Sequence, residues 1–107
     1  MDYRIVWSEP ALEDVEDIAG FIHQDSPYYA SVVVDKITKM TREIAVHPLA
    51  GRVVPELENN DFRERFVYSY RILYLLKDDV VFIVGVIHGK RLLTSILEEE
   101  PPRLQGD

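Results

Sequence analysis

A chain of 107 residues, 47% of them hydrophobic and 29% charged, has the length and composition of one ordinary globular domain with a single core. It contains no cysteine, which excludes a disulfide framework and a thiolate metal site, and its net charge of −7 argues against general nucleic-acid binding, which needs clustered Lys and Arg. The longest apolar run is eight residues, short of the roughly 20 that span a bilayer, and Met1-Asp2-Tyr3-Arg4 lacks the order of a secretory leader, so a reducing cytoplasm is the expected compartment.

Residues 3–7, Tyr-Arg-Ile-Val-Trp, read as a first strand. Ser8 is placed to cap a helix, Pro10 suits its first turn, and Glu9, Glu13 and Asp14 sit near the positive end of its dipole. Leu12, Val15, Ile18, Ala19 and Ile22 recur at helical spacing, which predicts a helix over about 9–23 with its acids on a solvated face. Ser26 and Pro27 restart the helix. Ala30, Val33, Val34, Ile37, Met40, Ile44 and Ala45 then form a second apolar stripe that ends at about His47, before Pro48. The short connection predicts an antiparallel helical hairpin. His23 and His47 fall at helix C-termini, where an imidazole complements the dipole, and no metal-ligand spacing involves them.

Residues 48–61 read as a long loop marked by two prolines and a glycine, and loops of that length are often functional. Residues 62–67 alternate in character and read as a strand with Arg63 and Arg65 on one face. Residues 70–87 form a hairpin of two β-rich runs around Lys77-Asp78-Asp79. The second run, 80–87, has no polar side chain and is expected to be buried on both sides and central in the sheet, with Trp7, Tyr3 and Phe82 also in the core. Leu92, Leu93, Ile96 and Leu97 are spaced as a short amphipathic helix, and residues 98–107 read as a disordered acidic tail. The expected fold is α+β, ordered β-αα-βββ: one domain over 1–97, with the helical hairpin packed on a small, mainly antiparallel sheet. Charge is unevenly spread. Residues 1–26 hold seven acids and one Arg, whereas 62–97 hold six basic residues and three acids, so a partner is expected to meet the second half.

Five segments in register resemble the RelE/ParE superfamily of bacterial toxins. They are Trp7-Ser8-Glu9-Pro10-Ala11-Leu12-Glu13-Asp14, His47-Pro48-Leu49-Ala50-Gly51-Arg52, Pro55-Glu56-Leu57, Tyr70-Arg71-Ile72-Leu73-Tyr74 and Val86-Ile87-His88-Gly89-Lys90-Arg91, and the likeness covers about residues 2–93. It implies a toxin–antitoxin or plasmid-stabilisation module whose toxin is held inactive by an antitoxin that wraps it. The ParE branch poisons DNA gyrase without a catalytic site of its own, and the RelE branch cuts mRNA in the ribosomal A site. The His-Gly-Lys-Arg ending and the Gly51-to-Leu57 loop look more like the ParE branch, so a gyrase-inhibiting toxin is expected, with a RelE-like ribonuclease or an inactive member of the family as the alternatives. No cofactor or metal is implied.

For the RelE-like alternative, metal-free RNA cleavage needs a base, a cation for the phosphorane charge and an acid, roles that Glu56, Arg71 and His88 would fill. The opposing reading makes Arg71 and Glu56 a structural ion pair that tethers the long loop to the sheet. Gly89 follows His88 where those nucleases carry further reactive or basic side chains. Arg63, Arg65, Lys90 and Arg91 are candidates, with Arg71, for a patch facing an anion or the target, set against a reading as solvated edge charges. Leu92, Leu93, Ile96 and Leu97 are candidates for contact with the antitoxin, because an apolar stripe on so small a domain needs a cover. The acidity of the chain (pI about 4.9) shifts weight from a ribosomal target to a protein one.

Overall fold

The computed structural model describes residues 2–89. The elements are β1 (Arg4–Trp7), α1 (Glu9–His23), α2 (Pro27–Val46), a single 3-10 turn (Pro48–Ala50), β2 (Arg52–Val53), β3 (Phe62–Val67), β4 (Tyr70–Lys77) and β5 (Val80–His88). Among the described residues the strands form one sheet in the order β1-β5-β4-β3-β2, antiparallel except where β1 runs parallel to β5. The expected α+β hairpin-on-sheet architecture is observed, with β2 as an addition.

Both helices start as their capping residues dictate. The Ser8 side chain accepts the Ala11 N–H at 3.2 Å and Ser26 accepts that of Tyr29 at 3.2 Å, each just ahead of a proline in the first turn. Ala11, Ile37 and Ile44 from the helices meet Ile72, Tyr74, Val81, Ile83 and Val86 from the sheet in the main core, and Tyr3 and Trp7 pack at its margin. Burying each large aliphatic side chain contributes about 1.5–3 kcal/mol, so this face carries most of the hydrophobic stabilisation. On the opposite face a smaller cluster of Val54, Leu73, Val84 and Ile87 is joined by Leu57, Phe62, Leu75 and Phe82.

Two expectations change. The apolar strand β5 is interior but not central: β1 occupies its outer edge, and β4 takes the middle. Residues 48–61 are not a structureless loop, since they hold the 3-10 turn and the two-residue β2 paired with Arg63 and Glu64, an element too short to show a period. A third difference lies at a bulge. Leu73 pairs with Gly85 and Tyr74 with Ile83, which leaves Val84 without a register partner. The first-helix residue Asp14, expected on the solvated face, turns in and accepts the Val86 N–H at 2.9 Å, while Ser8 donates its own N–H to Ile83 O at 3.0 Å. The start of α1 therefore seals the irregularity in β5, which satisfies backbone groups that would otherwise be costly to bury. The expected helix over 92–97 and the acidic tail lie outside the described residues, as do Lys90 and Arg91.

Candidate functional site

Strand alternation sorts the polar side chains of β3 and β4 between the two faces. Ile72 and Tyr74 face the helices, so Arg71, Leu73 and Leu75 face the other way, toward Val54 and Leu57. On β3, Arg65 is paired with Ile72 and Arg63 with Tyr74, which places both arginines on the helix side, whereas Glu64 lies on the side of Phe62 and Phe66.

Arg71 is 4% exposed and Glu64 is 1% exposed. The Arg71 guanidinium donates from Nη1 and Nη2 to the two oxygens of Glu56 at 2.9 Å each, and from Nε to Glu64 Oε1 at 2.6 Å. The other oxygen of Glu64 accepts from Arg52, with Nε at 2.8 Å, and the Arg52 guanidinium carbon lies 5.6 Å from the centre of the Phe66 ring. Arg52, Glu64, Arg71 and Glu56 thus form an alternating, charge-balanced row that runs from the rim into the protein. Hydrogen bonding to Glu56 raises the Arg71 pKa above its ordinary value, outweighing burial, which opposes it. Glu56 belongs to the turn after β2, so the bidentate contact fastens that segment to the middle strand. The ion-pair reading of Arg71 and Glu56 is the arrangement observed.

His88 does not join them. It pairs in register with Tyr70, a residue of the helix-side core, and the two rings meet edge-to-face at 5.9 Å. Arg71 pairs instead with Ile87, on the other face. The proposed base, cation and acid are therefore split, with Glu56 and Arg71 together and His88 across the sheet. Gly89 has a packing reason of its own: its N–H donates to Ser69 O at 2.6 Å, and a Cβ there would crowd that same backbone oxygen at 3.1 Å.

Arg63 and Arg65 are likewise separated from Arg71. Arg63 donates to Gly51 O at 2.9 Å and to Leu49 O at 3.3 Å, while its buried Nε has no partner among the described residues. Beside it the Tyr74 hydroxyl donates to Pro48 O at 2.7 Å. The two side chains hold the 3-10 turn, and Gly51 is required there because a Cβ would fall 2.0 Å from the Tyr74 hydroxyl oxygen. Burial raises the Tyr74 pKa, against lowering by a backbone hydrogen bond from Gly51 and by the charges of Arg63 and Arg65. Among the described residues no group of three His, Cys, Asp or Glu is placed to hold a metal ion.

Arg52 and Glu64 are the members of the row that sequence reasoning missed, and Glu64 is the buried one. The signal for Glu64 was available: an acid on a strand, flanked on its own face by Phe62 and Phe66, is in an apolar setting that demands a partner. Asp14 carried no such signal, because its partner is a backbone group 72 residues away.

Residues 5–93 match the family model described as the ParE toxin of the type II toxin–antitoxin system, parDE. The chain is 32% identical over 90 residues to Toxin RelE2 of Caulobacter vibrioides, an alignment covering 83% of this chain and 98% of that one. Three solved structures share the fold. A chain of the chromosomal ParDE system of P. aeruginosa superposes with a TM-score of 0.67 at 16% identity, covering 80% of this chain and 95% of the other. A mutant of E. coli toxin RelE in the free state gives 0.65 at 21% identity, over 94% and 95%. The RelBE2 toxin–antitoxin complex of Mycobacterium tuberculosis gives 0.56 at 22% identity, over 82% and 99%.

Proposed function

The chain belongs to the ParE toxin family of type II toxin–antitoxin systems, within the RelE/ParE superfamily, and from that premise we propose that it acts as ParE-like toxins do, by binding and inhibiting DNA gyrase. A cognate antitoxin neutralises it, a partnership supported by the likeness to a chain of the ParDE toxin–antitoxin system and to one of the RelBE2 toxin–antitoxin complex. The observation that carries the gyrase reading is the state of Arg71. An arginine that stabilises a phosphorane must present its guanidinium to the phosphate, and this one is buried between two carboxylates, with His88 on the opposite face. Anionic substrate would have to displace Glu56 from a bidentate contact and then approach the buried Glu64. A net charge of −7 adds a general barrier to a ribosomal site dense in phosphate.

Ribosome-dependent mRNA cleavage is the second reading, favoured by the likeness to a relative named RelE2. Inducing the protein without its antitoxin separates the two. Gyrase-dependent DNA breaks without new mRNA ends are expected. Ribosome-dependent mRNA cuts that vanish in His88→Ala, an exposed substitution that leaves the Arg71 row intact, would overturn the gyrase reading in favour of the nuclease.

A further inference from the structure

The α1–α2 hairpin ends in a surface that no other described residue covers. Residues 5–35 contain seven acids and no Lys or Arg. Asp14 is used internally, but Glu13, Glu16 and Asp17 stand exposed on α1, and Asp25 is exposed in the connection. Glu13, Asp17 and Phe21 follow at four-residue spacing and so share the outward side of the helix. Phe21 is 70% exposed; across the connection Tyr28 and Tyr29 are 74% and 62% exposed, their rings edge-to-face at 5.9 Å.

One exposed aromatic is ordinary, but three flanking a single short connection have the composition of an interface centre, where rigid aromatic side chains anchor a partner. Gly20 adds an independent observation. A glycine inside a helix weakens it, and a Cβ at this position would meet nothing within 4 Å, so no contact within the domain accounts for it. Beside Phe21 it leaves a low spot where another backbone can approach.

We propose that this hairpin tip is the surface with which the toxin engages its protein target, and that the complementary surface is a cationic one with an apolar recess, of the kind that handles DNA. The inference rests on the gyrase reading above and gives it a location. Charge selects the occupant. Nucleic acid would be repelled by the acids, and a second copy of this chain would bring the same acids together, whereas Lys and Arg around an apolar recess would pair with the rim while the aromatics fill the centre.

The test measures binding of the purified protein to immobilised DNA gyrase at about 0.05 and about 0.3 M salt, since screening separates exposed charge attraction from apolar contact. Wild type is compared with Phe21→Ser/Tyr28→Ser/Tyr29→Ser, with Glu13→Lys/Asp17→Lys, and with Tyr68→Ser, an exposed aromatic elsewhere. All three sets of substituted side chains are exposed, and the four melting temperatures are expected to agree. The expected result is that wild-type affinity falls several-fold with salt and that both tip variants weaken at least about tenfold while Tyr68→Ser does not. Equal binding by all proteins, or an equal loss in Tyr68→Ser, would overturn the tip as the docking surface and leave the gyrase reading standing. Absence of binding by the wild type would overturn the gyrase reading, and the tip's assignment with it.

Discussion

The sheet presents two faces built from the same strands and stabilised by different forces. Toward the helices, Ile37, Ile44, Ile72 and Ile83 are fully buried, and stabilisation there scales with apolar area removed from water. On the other side, a smaller cluster lies beside a row of four charges, of which Arg71 and Glu64 are buried within the range of the core residues. Burial on the first face tolerates many side chains of suitable volume. Burial on the second is conditional: each charge is acceptable only while its neighbour is present, because charges taken from water must be paired. The first face therefore defines the fold, and the second fixes one particular placement of the segment that carries Glu56.

The sharpest way to break that contrast is Arg71→Ala. It leaves Glu64 and Glu56 facing each other without their shared cation, and removing one partner of a buried pair typically costs about 3–5 kcal/mol. For a domain of this size that lowers the melting temperature by more than about 10 °C in a thermal scan. A drop of only a few degrees would mean that the row is solvated and the two faces are not distinct.

Tyr74→Phe probes a polar tie on the helix-side face. Losing the hydrogen bond to Pro48 O costs about 0.5–1.5 kcal/mol in urea unfolding near neutral pH. The pH dependence has a definite sign. Burial raises the folded pKa above the ordinary value of about 10, so the unfolded hydroxyl ionises first. The associated stability is fully present below about pH 10 and is lost as pH rises through the folded value. The difference between wild type and Tyr74→Phe should therefore shrink in melts taken above that pH.

Arg52→Ala should have the smallest effect. Its side chain is 62% exposed, so solvent screens the pair with Glu64, and a cost below about 1 kcal/mol is expected. An effect as large as that of Arg71→Ala would show that the row acts as one cooperative unit from rim to centre.

What could be read from the sequence followed the range of the signals. The helix over 9–23 is set by Ser8, Pro10 and a four-residue apolar rhythm, all local, and the structure has it at Glu9–His23. Alternation in 62–67 likewise put Arg63 and Arg65 on a common face, as the register has them. The position of β5 was misjudged because an apolar run reports burial on both sides but not which strands provide it. The separation of His88 from Glu56 and Arg71 was hidden for a related reason. Arg71 and His88 lie at opposite ends of their hairpin in sequence, and whether they share a face depends on the Val84 bulge and the pairing of Tyr70 with His88, neither of which leaves a compositional trace. Glu56 was correctly joined to Arg71, because a carboxylate on a loop and an arginine within an apolar strand each require a partner.

The parallel pairing of β1 with β5 also governs how the molecule can be made. Arg4 sits opposite Val80 and Trp7 opposite Ile83, so β1 has no place in the sheet until β5, far along the chain, has followed it. The α1–α2 hairpin can form early from contacts between neighbours, but it waits with its inner face open. Until β5 arrives, the core beneath the helices lacks Val81, Ile83 and Val86, and the bulge sealed by Asp14 does not exist. A nascent chain halted before Val80 thus has helices that lack the part of their surface supplied by Val81, Ile83 and Val86, and aggregation-prone apolar area stays open until that strand is added.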